Sequence, residues 1–242
     1  MSELKHLWFS QQGGDRTSLS DYCAIRKFSD ASVYVLTDGA TSGPGGNSLA
    51  KNLAEGIIDE TARTKTTSGE IDIIAILGSV HTSLQEEYRN DISSYLVLVC
   101  FSRQPLKIYY AGDCRLGVIE RPFNLRWLTS PHCLANAIKA ISEEELQQST
   151  LRHTLTRSFN YKRVGPPEFL EYSPNQDECL ILATDGLWGE LNTEQVQQLI
   201  ESESQTSISP LDDCSFLVLH PNLDLSEFDK SNLIVCSDNI YI

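Results

Sequence analysis

Two short apolar runs end in the same way, and they constrain the chain more than any other feature. Val33-Tyr34-Val35-Leu36-Thr37 empties into Asp38-Gly39, and Cys179-Leu180-Ile181-Leu182-Ala183-Thr184 empties into Asp185-Gly186. β-branched, aliphatic and aromatic runs closed by Asp-Gly read as strands that deliver a carboxylate to a turn. A third run, Leu106 to Gly112, stops beside Asp113, and a fourth, Cys214 to Leu219, is entered through Asp212 and Asp213. Taken singly, each aspartate is a turn former, because its side chain accepts from backbone two residues on. Gathered at one end of a core, they repel one another unless a cation compensates. Oxygen donors without His or Cys select hard ions such as Mg²⁺ or Mn²⁺, and an arginine nearby would hold an anionic substrate. Arg16, beside the Gly13-Gly14 break, is the candidate for that clamp.

The periodicity around these runs predicts the remaining elements. Leu7 to Ser10 and Asp21 to Phe28 read as strands. After Asp38, the Thr41 to Gly46 stretch is glycine-rich, so its backbone can approach a ligand closely. Leu49, Leu53 and Ile57 then repeat at helical spacing, predicting a helix from Asn47 to about Arg63; Ile73, Leu77, Val80 and Leu84 predict a second from about Ile71 to Tyr88. The two are expected together on one sheet face.

From Ser93, strands follow in close succession: Tyr95 to Phe101, Leu106 to Gly112, Leu116 to Ile119 and Leu125 to Leu128. Parallel pairing would need long crossovers, so an antiparallel meander is expected. Further elements are a helix over Leu134 to Ile141, a short element between Leu146 and Phe159, a strand over Glu168 to Tyr172, a helix after Asn192 carrying Val196 and Leu199, and a polar loop from Ser202 to Pro210. Leu233 to Cys236 is either an added edge strand or a contact with another chain. The expectation is one α+β domain on antiparallel sheets over residues 1–242, with about 222–242 as an extension.

The balance of 33 acidic against 19 basic residues, a net charge of −14, argues against nucleic-acid or anionic-membrane binding, which needs a basic face. No stretch approaches the roughly 20 apolar residues of a membrane span and the start lacks a signal-peptide pattern, so a cytoplasmic protein is expected. Seven cysteines without a C-x-x-C pair indicate neither a disulfide framework nor a zinc cluster.

The ordered set Gly14-Asp15-Arg16, Asp38-Gly39, Gly112-Asp113-Cys114-Arg115, Leu128-Thr129, Leu155-Thr156-Arg157, Asp185-Gly186-Leu187-Trp188 and Asp212-Asp213-Cys214-Ser215 resembles the metal-dependent protein phosphatases of type 2C, the PPM family. The resemblance runs from about Gly13 to Leu219. It implies a four-layer α/β/β/α sandwich of two antiparallel sheets flanked by helices, with two Mn²⁺ or Mg²⁺ ions where the sheets open. By the same resemblance, Asp38 bridges both metals, Gly39 offers a carbonyl to one, and Asp185 and Asp212 complete the second. Asp213 is the weaker ligand candidate by register. Asp21 matches an acid that contacts metal-bound water, Asp113 resembles the acid of a third, weaker metal, and Arg16 matches the phosphate-binding arginine. The implied reaction is hydrolysis of phosphoserine or phosphothreonine in proteins by metal-activated water. The implied partners are such phosphoproteins and a cognate Ser/Thr kinase, with the chain acting as a monomer.

The pattern also breaks. Many relatives carry His after Asp-Gly as general acid, and Ala40 stands there; Ser20 replaces a glutamate; and Gly189 replaces the last acid of D-G-L-W-D. His132, in Leu128-Thr129-Ser130-Pro131-His132, is a further catalytic candidate against the simpler reading of a polar turn residue. Arg157 is read as structural, Arg115 as the partner of a carboxylate, and Trp188 as core or pocket wall. Two other functions compete: an inactive relative that binds phosphoproteins or a regulator, and a phosphatase of small phosphomonoesters.

Overall fold

The structure, a computed structural model, describes residues 4–41, 43–68, 70–102, 104–162, 165–201, 209–221 and 232–237. Its strands are β1 (Lys5–Gln11), β2 (Asp21–Lys27), β3 (Ala31–Gly39), β4 (Ile92–Phe101), β5 (Leu106–Ala111), β6 (Arg115–Glu120), β7 (Asn124–Trp127), β8 (Phe159–Asn160), β9 (Glu168–Tyr172), β10 (Cys179–Ala183), β11 (Cys214–His220) and β12 (Leu233–Ser237). The helices are α1 (Gly46–Ser68), α2 (Ile73–Leu84), α3 (Glu143–Gln148), α4 (Asp185–Trp188) and α5 (Thr193–Glu201). One sheet has the order β1-β11-β10-β6-β7 and the other β12-β2-β3-β4-β5-β9, with β8 pairing the start of β4.

The central strands are apolar on both faces because both faces are covered. On β3 and β4, Val33, Val35, Val97 and Val99 pack under the helices with Leu49, Leu53, Ile57, Ile76 and Leu77. The alternate residues Tyr34, Leu36, Leu96 and Leu98 meet Leu180, Leu182, Leu217 and Leu219 of the facing sheet. On β10 and β11 the outward residues Ile181, Phe216 and Val218 pack with Leu187, Trp188, Val196 and Leu199 of α4 and α5. The layers are therefore α/β/β/α, as expected.

The differences from expectation have local causes. The meander breaks after β5: β5 pairs with β4 and β9, whereas β6 pairs with β7 and β10, so the chain changes sheets at Gly112. Gly112 has φ +106°, and a Cβ there would meet Ser94 Oγ at 2.1 Å, so this crossing requires glycine. The expected antiparallel rule fails at one edge, where β12 runs parallel to β2. No helix forms over Leu134 to Ile141. Leu134 and Ile138 of that stretch are left exposed, Ile138 at 97%, and eight residues cannot hold a helix without packing. The short helix lies further on as α3, whose cap Ser142 accepts from Glu145 N–H while Glu145 returns a bond to Ser142 N–H. α2 starts later than predicted because Asp72 accepts from the N–H groups of Ile74 and Ala75. Of the polar loop and the extension, 202–208, 222–231 and 238–242 lie outside the described residues.

Candidate metal centre

The strand ends deliver their acids to one place. A cavity of about 180 Å³ is lined by Asp38, Asp113, Asp185, Asp212 and Asp213, together with Arg16, Gly39 and His153. Asp21 and Asp38 are opposed in register at the ends of β2 and β3, and Asp38 is opposed by Ser94 on β4. Asp113 follows the sheet crossing and accepts from Ser94 Oγ at 2.5 Å. Asp185 opens the single turn of α4, and Asp212 lies just before β11.

Crowding and desolvation show in the protonation of these acids. Burial, with Asp213 and Asp185 adding to it, pushes Asp21 well above the usual carboxylate range. Desolvation raises Asp38 likewise, helped by the charges of Asp21, Asp113, Asp185 and Asp212. Asp185 is raised by burial and by Asp113 and Asp212, against the opposing pull of Arg152. Asp113 is raised by burial, which its bond from Ser94 only partly offsets.

The side chains differ in what already engages them. Asp213 is committed to the fold: Oδ1 accepts from Gly13 N–H at 2.9 Å and Oδ2 from Ser20 N–H at 2.6 Å. Asp212 accepts two bonds from Arg16, at 2.6 Å from Nε and 2.5 Å from Nη2, while Arg16 Nη1 donates to Thr41 Oγ1 at 2.7 Å. Arg152 Nη1 lies 3.2 Å from Asp185 Oδ2. Asp21 Oδ2 accepts from Thr184 Oγ1 at 2.9 Å, but Oδ1 is buried and has no hydrogen-bond partner among the described residues.

Gly39 N–H donates to Ser20 O, and a Cβ at Gly39 would fall 2.3 Å from Gly46 O, so only glycine lets the β3 end and the start of α1 meet. Among the described residues, no three acids, histidines or cysteines are already gathered around a single point. The acids lining the cavity nonetheless suit a hard divalent cation, since they offer only oxygen, and Asp21, opposite Asp38 across the ladder, adds a buried oxygen without a partner among the described residues.

His132 is not brought to the cavity. Its Nδ1 accepts from Gly112 N–H at 3.1 Å, Nε2 lies 2.9 Å from Glu168 Oε2, and the ring stacks on Tyr110. It braces the sheet crossing. Arg157 is 3.5 Å from Glu168, also away from the acids. Arg115 lies between the Trp127 and Trp188 rings and forms two bonds with Glu143, and Trp188 Nε1 donates to Asp113 O at 2.8 Å.

Sequence reasoning missed Arg152 and His153. They lie in a 3₁₀ turn, Thr150–His153, which the Cys133–Leu155 bridge and the bond from Gln147 to Trp188 O fold against α4. A basic pair in an acidic chain is the sole local hint.

The family model of Protein phosphatase 2C matches residues 154–220. Among curated proteins, no sequence matches the chain. Solved structures do. The serine/threonine phosphatase Stp1 of Staphylococcus aureus superposes with a TM-score of 0.72 at 19% identity, covering 91% of this chain and 95% of its own. The S. agalactiae serine/threonine phosphatase gives 0.71 at 15%, covering 90% and 99%. The PPM Ser-Thr phosphatase MsPP of Mycobacterium smegmatis, solved with cacodylate, gives 0.71 at 18%, covering 91% and 99%. The chain thus has the fold of the bacterial PPM-type serine/threonine phosphatases and carries the sequence pattern of Protein phosphatase 2C over residues 154–220.

Proposed function

We propose that the chain is a metal-dependent protein serine/threonine phosphatase, with residues 1–242 acting as one catalytic domain and as a monomer. The observation that carries this reading is the cavity into which four separate strand ends bring desolvated aspartates beside an arginine. Such a cluster is destabilising for a binding module and useful for holding cations. Asp38, Asp185 and Asp212, with the Gly39 carbonyl, would hold two Mn²⁺ or Mg²⁺ ions, and Asp113 would contribute to a third. Ions bound there would supply an activated water and neutralise charge on the phosphoryl oxygens.

The chain's own groups do the rest. Arg16 can turn Nη1 from the Thr41 hydroxyl to the phosphate while Nε and Nη2 keep Asp212. Oδ1 of Asp21 is free to accept from water. Ile92 and Leu155 form an apolar part of the wall that limits bulk solvent. With Ala40 beside the acids, His153 is the imidazole that lines the cavity among the described residues; to donate to the leaving oxygen of serine or threonine it would act as imidazolium, a form that burial and the charge of Arg152 disfavour. Phosphoserine and phosphothreonine proteins are the proposed substrates, with a cognate kinase as functional counterpart.

The test is release of phosphate from a phosphothreonine peptide and from p-nitrophenyl phosphate, with and without Mn²⁺. Turnover that requires Mn²⁺ and is lost in Asp38→Ala supports the reading. No turnover together with no calorimetric Mn²⁺ binding would leave a non-catalytic binding protein. A kcat/KM far higher for the small ester than for any peptide would favour a small-molecule substrate.

A further inference from the structure

The guanidinium of Arg152 is held against the carboxylate of Asp185 by more than the ion pair itself. The side chain is 8% exposed, and its Nη1 is 3.2 Å from Asp185 Oδ2. Cζ lies 6.0 Å from the centroid of the Trp188 ring, so an aromatic wall stands on another side. The room it fills is that of a missing side chain: a Cβ on Gly189 would be 2.4 Å from Arg152 Nη1 and 2.9 Å from its Cζ. Position 189 is empty of side chain where Arg152 needs space, so α4 and the Thr150–His153 turn are built around this contact.

A buried guanidinium is costly unless paired, and Asp185 among Asp113 and Asp212 is costly unless balanced. Each solves the other's problem. We propose that Arg152 is a built-in counter-cation of the metal centre: it balances the aspartate cluster while no metal is bound and competes with a divalent cation for the Asp185 carboxylate. Metal affinity is thereby set below what the oxygen donors alone would give. This inference rests on the metal-dependent reading above.

The experiment is calorimetric titration of EDTA-treated protein with MnCl₂, together with thermal unfolding, for wild type, Arg152→Met and Arg152→Gln. Both variants are expected to bind Mn²⁺ roughly 10-fold more tightly than wild type, because a competing positive charge is gone. Both are expected to unfold at lower temperature when metal-free, with the gap closing as Mn²⁺ is added. Unchanged or weaker Mn²⁺ binding in variants of a wild type that binds Mn²⁺ overturns the role of Arg152 alone. Failure of wild type to bind Mn²⁺ overturns the metal reading itself. Should neither variant fold, wild type decides: the side-chain N–H of Arg152, assigned by its loss in Arg152→Lys, is expected to exchange with solvent faster at saturating Mg²⁺. Exchange that stays unchanged through saturation overturns the proposal.

Discussion

Asp21 and Asp38 stand directly opposite each other across the β2–β3 ladder, so two carboxylates meet at the end of one antiparallel pair. The register puts both side chains on one face of the sheet, and like charges at opposed positions are destabilising. Relief of this repulsion gives the first prediction. Asp38→Asn should lower Mn²⁺-dependent turnover by at least about 10³-fold, yet raise the unfolding temperature of EDTA-treated protein. A variant that loses activity and also loses metal-free stability would show that Asp38 is a fold element first.

The raised carboxyls fix the sign of a pH effect in metal-free protein. Asp21, Asp38 and Asp185 hold their protons more tightly in the folded chain than in the unfolded one. Between the ordinary carboxylate value, about 4, and their raised values, the folded state carries more protons, so stability falls as pH rises. The contribution is complete below the ordinary value and is lost through the raised ones. Urea midpoints measured upward from about pH 4 in EDTA should therefore decline, and Mn²⁺ should flatten the decline; a rise with pH in EDTA would contradict the cluster.

Neighbouring acids should separate cleanly. Asp213 spends both oxygens on Gly13 and Ser20 N–H groups, so Asp213→Ala leaves two buried donors unpaired and should cost about 2–4 kcal/mol of stability. Mn²⁺ binding by the folded fraction should persist. Asp212→Ala should do the opposite, abolishing turnover with a smaller loss in urea-denaturation stability.

The sheet crossing is equally exposed to test. Gly112→Ala places a methyl against Ser94 at a positive φ and should cost roughly 2–4 kcal/mol. Because Ser94 is also the hydroxyl partner of Asp113, the same substitution should weaken activity in protein that still folds. Thermal unfolding and phosphate release measured side by side would check both.

His153 can be tested by leaving group. If its imidazole donates to the leaving oxygen, His153→Gln should reduce kcat toward a phosphothreonine peptide by about 10²-fold and barely affect p-nitrophenyl phosphate, whose phenolate needs little help. Equal losses on both substrates would assign His153 to the cavity wall.

Much of this arrangement was legible in the residues themselves. Val33 to Thr37 and Cys179 to Ala183 carry the strand period and, being apolar on both sides, announce a buried sheet; the Asp-Gly ends mark where each must turn. Those are local properties of bond geometry and side-chain polarity, so sequence determines them, as it does the α1 and α2 helices and the convergence of Arg16, Asp38, Asp113, Asp185 and Asp212 expected from the family resemblance. Tertiary structure decided the rest. That β5 and β6 part into different sheets depends on a close approach to Ser94, and that β12 runs parallel depends on a free edge of β2; both lie far apart in sequence. Likewise, Asp213 takes the backbone N–H groups of Gly13 and Ser20 while Asp212 takes the Arg16 side chain, His132 braces a crossing instead of the cavity, and Arg152 finds Asp185 across the gap left by Gly189. Each outcome is set by desolvation and close packing between remote segments, and none has a local pattern from which it can be read.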